Sequence, residues 1–155
     1  AQVRLCARYR RLSAAGKKLP VVIAAIALSA RPLAQREQEK KRRLLEERFG
    51  SRDPLDAEAF FQSFFAGGAF HKEVVLGVRE VLEEVLESDL SFLREDDDFS
   101  KNLSLFWEFD SMANVELVQA LEARFKITIS DAEAERTKTV RDLIELVQAK
   151  IYAAA

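Results

Sequence analysis

After Asp110 and Ser111 the apolar residues fall into a helical rhythm. Leu117, Leu121 and Phe125 stand four apart with Val118 beside them, so one face of a helix is apolar and has to be buried. A second run, Val74, Val75, Val78, Val81, Leu82, Val85 and Leu86, marks another amphipathic helix ending around Glu87. Two such faces cannot be covered within one helix, so the chain must pack helix on helix. Asp110 and Ser111 end a loop directly before the first of these faces. Asp or Ser at that place is the expected N-cap, its oxygen accepting from the N–H groups of the first turn. The Ser111 hydroxyl thus has two readings: an ordinary cap, or a hydroxyl in the positive field of a helix end, where a phosphate ester is favoured.

Composition enters where it narrows the fold. Ala, Leu, Glu and Arg dominate, with 5 Gly and 3 Pro in 155 residues, which predicts an all-α class. That length supports one core with an appendage. The single cysteine, Cys6, excludes an internal disulfide and a multi-cysteine metal site, in keeping with a reducing, cytoplasmic setting. No Gly-rich phosphate loop, zinc spacing or Ser-His-Asp set is visible, and the lone histidine, His71, reads as a surface or capping residue. No catalytic residue, no metal site and no enzyme activity are expected. The net charge of −2 conceals a split: residues 1–54 carry 14 Lys/Arg against 5 Asp/Glu, and residues 55–155 carry 10 against 21. The acidic part would steer basic partner surfaces and repel nucleic acid.

In chain order, residues 1–68 read as a basic N-terminal extension. Residues 1–36 hold eight Lys/Arg and no acid. Leu19 to Ala30 is an apolar run of 12 residues, shorter than the ~20 a bilayer requires. It is open to three readings: a buried helix or strand, a membrane-associated or targeting leader, and a partner contact. A helix over 33–49 follows, with Gly50 placed for a left-handed cap. Lys40 to Arg43 read as a solvated face, with anionic lipid as the other reading, so membrane association would run through residues 1–45. Asp53-Pro54 predicts the start of a helix over about 54–66, whose Phe60, Phe61, Phe64 and Phe65 are expected in the core. Ser88 to Phe109 reads as a long loop in which Glu95 to Asp98 form a solvated acidic cluster without calcium-loop spacing. Phe99, Leu103, Leu105, Phe106 and Trp107 would pin that loop. Ile127 to Ile129 read as an extended connector. Asp131 caps a turn to about Arg136, and Thr139 caps a last helix with Val140, Leu143, Ile144, Val147 and Ile151 inward. Residues 153–155 look like a frayed end.

From Asp110 to Ile144 the sequence DSMANVELVQALEARFKITISDAEAERTKTVRDLI resembles, without a gap, the second half of an acyl carrier protein. The family pattern is D-S-L-x-x-V-E-L-x-x-x-L-E-x-x-F-x-x-x-I-x-D-x-x-A-x-x-x-x-T-V-x-D. The resemblance implies an acyl-carrier-like four-helix bundle over 69–152 with a helical N-terminal extension. It implies that Ser111, preceded by Asp110, carries 4′-phosphopantetheine, on which acyl groups ride as thioesters. It further implies that Met112, Glu116 and Glu122 face partners: a phosphopantetheinyl transferase and acyl-processing enzymes with basic docking patches. Fatty acid and polyketide synthesis are the pathways it suggests. The apolar residues Val78, Leu82, Val118, Leu121, Ile129 and Val140 read equally as acyl shelter and as ordinary core. Three departures from the pattern involve four positions. Met112 replaces Leu, Glu108 and Phe109 make the approach to Ser111 bulkier, and Thr137 replaces an Ile of the acyl pocket wall. The other reading is an unmodified carrier-fold adaptor acting through the extension.

Overall fold

The computed structural model describes residues 21–153, with side chains from residue 35 onward. Cys6, the basic residues before Pro20 and the last two alanines lie outside the described residues. Packing divides the chain into two compact units, Ala1–Arg42 and Arg43–Ala155.

The described residues form helices joined by loops, without a named strand. The first helix, α1, runs Val21–Phe49. It starts well before residue 33 and continues through Pro32, so the apolar run from Val21 to Ala30 has helical backbone. Within the first unit Arg42 pairs with Glu39 one turn away, at 2.9 Å.

The second unit begins with the end of α1. Phe49 is buried, and its ring stacks on Phe92 with centroids 4.3 Å apart. Gly50 ends the helix for a reason other than the expected left-handed backbone. Its φ lies outside that range, but a Cβ there would stand 2.4 Å from the carbonyl oxygen of Glu46.

Helix α2 spans Ala57–Phe64, capped by Asp56, whose carboxylate accepts the Ala59 N–H at 2.7 Å. The start expected at Asp53-Pro54 is therefore three residues late. The reason is competition for the backbone. The Asp53 carbonyl accepts from Arg94, the Leu55 N–H donates to Ser91 O, and the Leu55 and Asp56 carbonyls accept from Arg79. Those groups hold 53–56 against the rest of the unit. Phe60 and Phe65 are fully buried, with Phe61 and Phe64 packed beside them.

Helix α3, Lys72–Leu86, is the central element, burying Val74, Val75, Val78, Val81, Leu82 and Leu86. It ends at Glu87, which takes a left-handed φ of 45°. His71 is its exposed N-cap residue and makes no side-chain cap bond; its ring stacks on Tyr152 instead. Between Ser88 and Phe109 the chain is less of a loop than expected, because Leu105–Phe109 form a short helix, α4. Leu103, Leu105 and Phe106 pin this region from inside, while Phe99 and Trp107 are half-buried.

Helix α5 is Ala113–Phe125. A residue at Gly77 with a Cβ would touch the Phe125 ring at 2.8 Å, and Arg124 pairs with Glu80 at 3.0 Å. The end of α5 thus meets the first half of α3, so the two helices run antiparallel. The extended connector follows, then α6, Asp131–Arg136, closed by a capping box of Ser130 and Glu133. The cap is Ser130, one residue earlier than expected. Helix α7 is Val140–Ala153; Thr139 Oγ1 accepts the Asp142 N–H at 3.2 Å, and the Asp142 carboxylate returns to the Thr139 N–H at 2.9 Å. Gln148 bonds the Ala69 carbonyl and the His71 N–H, so α7 also runs antiparallel to α3. The starts of α5 and α7 consequently lie at the end of the bundle where α3 finishes.

The acidic stretch 95–98 corrects the expectation of a solvated cluster. Asp97 is 1% exposed and paired with Arg52 at 2.9 Å. Glu95 pairs with Arg141, and the Asp98 carboxylate accepts from Ser100 and pairs with Lys101 within the loop. Three of the four acids are used to fasten the loop.

Candidate functional site

The site is built by the α4–α5 junction. Phe106 is buried and fixes α4 to the core, and Phe109 packs half-buried against that core. The Phe109 bulk expected to crowd the approach to Ser111 is thereby directed to the interior. The Asp110 N–H closes α4 on the Phe106 carbonyl at 3.1 Å. Its carboxylate then accepts the Met112 N–H at 2.8 Å, and its carbonyl accepts the Ala113 N–H at 3.2 Å. Asp110 thus closes the turn itself, as Asx turns do; the Ala113 N–H that a capping Ser111 could have accepted goes to the Asp110 carbonyl. The helix N-cap is Met112, not Ser111.

The consequence is chemical. Ser111 is exposed, and its hydroxyl has no hydrogen-bond partner among the described residues. A capping serine would have its oxygen occupied; this one is left available at the positive end of a 13-residue helix. Around it, Met112 is 55% and Val115 42% exposed, and Glu108, Asp110 and Glu116 are exposed acids. Two apolar side chains beside a hydroxyl within an acidic rim suit a basic partner that also offers an apolar contact. Val115 was missed in the sequence. Its signal was present, since it lies three residues after Met112 and off the buried Leu117–Leu121 face.

Glu122 belongs elsewhere. Its Oε1 accepts the Ile129 N–H at 2.7 Å and the residue is half-buried. The expected outward-facing acid is used to hold the connector onto α5. Arg124 is paired with Glu80. Thr137 caps α6, its hydroxyl donating to the Glu133 carbonyl at 3.0 Å. Val78, Leu82, Leu121, Ile129 and Val140 are buried against one another, with Val118 half-buried.

One groove of about 360 Å³ is lined by Phe70, His71, Gln148 and Tyr152, among others. It lies where α3 starts and α7 ends, at the opposite end of the bundle from Ser111.

A helical unit with an exposed serine at a loop-to-helix junction has the form of a carrier. Residues 77–147 match the family model described as "Phosphopantetheine attachment site". The chain is 39% identical over 72 residues to an acyl carrier protein of Helicobacter hepaticus, covering 46% of this chain and 90% of that one. It is 32% identical over 80 residues to one of Exiguobacterium sibiricum, covering 52% and 96%. With one of Thermosynechococcus vestitus it shares 32% over 81 residues, covering 52% and 95%. The chain belongs to the acyl carrier protein family. It carries acyl groups on a covalent 4′-phosphopantetheine and works with acyl-processing enzymes and a phosphopantetheinyl transferase.

The residues present fit that prosthetic group. A phosphodiester needs an accessible hydroxyl, and Ser111 is exposed and unbonded. When attached, the group supplies a thiol on a flexible arm, which bears the acyl group as a thioester.

Proposed function

We propose that Ser111 is the attachment residue and that Asp110 keeps it usable. By holding the Met112 N–H, Asp110 fixes the turn and leaves the hydroxyl to a transferase. The phosphodiester then sits at the mouth of α5, where the helix dipole favours it. The observation that carries this reading is the exposed Ser111 hydroxyl, free of the capping bond its position invites.

Met112, Val115 and Glu116 form the docking face for enzymes with basic patches. Such charge pairs chiefly set the rate and choice of encounter, which suits a shuttle that must release its partners. Glu122 serves this face indirectly, by holding the Ile127–Ile129 connector in place. In this reading residues 1–68 extend a carrier domain at 69–152 that acts in the cytoplasm, in fatty acid or polyketide synthesis. Residues 1–45 meet membranes at their surface. Among the described residues no helix is long and apolar enough to cross one, and Lys40 to Arg43 favour anionic headgroups.

Incubation with coenzyme A and a broadly active phosphopantetheinyl transferase tests the attachment. The intact mass should rise by one phosphopantetheinyl group in the wild type and stay unchanged in Ser111→Ala. A folded wild type that gains nothing would support the unmodified adaptor instead. Flotation with anionic and neutral vesicles tests the membrane contact; equal recovery in the aqueous layer for both would refute it.

A further inference from the structure

The buried carboxylate of Asp97 is the meeting point between the segment after α1 and the loop that leads to Ser111. Arg52 donates to both of its oxygens at 2.9 Å and also to the Phe92 carbonyl at 3.2 Å. The Arg94 N–H donates to it at 2.7 Å, and the Asn102 amide completes the set. With Asp97 1% exposed and the Arg52 side chain 28% exposed, the ion pair is largely removed from solvent. Arg94 does not replace Arg52, since its guanidinium is spent on the carbonyls of Asp53, Phe92 and Leu93.

From Asp97 the connections run toward Ser111. Asn102 Oδ1 accepts the Asp98 N–H at 2.7 Å, and Arg48 holds the carbonyls of Lys101 and Asn102. This fixes the turn carrying Phe99. The Phe99 carbonyl accepts from Trp107 Nε1 at 2.8 Å, and Trp107 lies on α4, four residues before Ser111. On the other side, the Asp97 carbonyl accepts the Val140 N–H at the start of α7. Leu105 and Phe106 fix α4 from inside; these bonds hold it from outside.

Resting on the reading of Ser111 as the attachment residue, we infer that Arg52 and Asp97 are positioning residues: they brace the 97–107 segment so that α4 presents Ser111 in a fixed turn. The stretch after α1 is then part of the working carrier. Neither residue touches the reacting hydroxyl.

The test uses the full chain and reads peptide-level hydrogen exchange and the rate of phosphopantetheine loading side by side. Arg52→Ala should raise exchange over 97–113 about tenfold while α3 and α7 keep their protection, since local opening is read separately from global unfolding. Loading should slow several-fold, and Arg52→Lys should recover part of both effects. In the wild type, the amides of 105–109 should open together with those of 97–103, which needs no variant at all. Exchange that rises equally across α3, α5 and α7 in Arg52→Ala overturns the proposal, as does independent opening of 105–109 in the wild type. So does an unchanged loading rate in a variant whose 97–113 amides have loosened. A wild type that is never loaded refutes Ser111 as the attachment residue and leaves the exchange result standing, so the two failures are distinguishable.

Discussion

Ser111 shows how much of a site turns on its neighbour. A serine before an apolar helix face is an ordinary cap in most sequences; here Asp110 takes the Met112 N–H and the hydroxyl is spared. That outcome is legible only in part, because Asp and Ser can each close a turn before a helix and spacing does not choose between them. Glu122 departs from the expected outward position through a tertiary contact. Its helical position predicts an outward acid, but the connector brings the Ile129 N–H back to it. Glu133 carries a pH dependence. The Lys150 ammonium, then the Ser130 N–H and hydroxyl, lower its carboxyl from the ordinary 4.5 to about 2. A depressed folded value means the contact stabilises above about pH 4.5 and is lost as pH falls toward 2. Thermal melts across that window should therefore show the wild type losing its advantage over Glu133→Gln; a constant difference between the two would contradict the role given to this carboxylate. Gly77 is a steric requirement. A Cβ there would stand 2.8 Å from the Phe125 ring, so Gly77→Ala should cost ~1–3 kcal/mol in denaturant unfolding. A more stable variant would mean the ring yields freely and the close approach of α3 and α5 is slack.

The helices of the carrier region were legible as elements. The apolar periodicity of α3 and the Thr139 cap of α7 stand as expected because burial and local propensity agree there, while the caps of α5 and α6 each shift by one residue or more. Disagreement concentrates where backbone groups are claimed by distant side chains. Asp53-Pro54 is a sound local start signal, yet Arg79 and Arg94 take the carbonyls around it, and α2 waits for Asp56. Asp97 reads as part of an acidic cluster, but Arg52, 45 residues earlier, folds it inside. No local pattern announces such pairs. Of the four phenylalanines expected in the core, Phe60 and Phe65 are fully buried, and Phe61 and Phe64 pack half-buried against them. Phe60→Ala should destabilise by ~3–5 kcal/mol, measured by the urea midpoint. A loss below about 1 kcal/mol would show that α2 is loosely attached.

At the scale of the molecule, family resemblance and packing draw different borders. The family model spans 77–147, whereas the compact unit begins at Arg43. Phe49, Phe60 and Phe65 belong to the same buried core as Val75, Val78 and Leu82. A chain of residues 69–155 should consequently melt well below one of 43–155 and expose apolar surface to a hydrophobic dye; equal melting temperatures would return 43–68 to the status of an appendage. This dependence was hidden in the sequence because the resemblance is carried by Asp110 to Ile144, while the supporting residues lie outside it. The identity of the carrier rests in the end on one oxygen atom. Fragmentation mass spectrometry of the peptide containing Asp110 to Arg124, taken from protein treated with coenzyme A and a transferase, locates the modification. The phosphopantetheinyl group should be found on Ser111 alone; its attachment to another residue, or a peptide of unmodified mass from fully folded protein, would contradict the assignment.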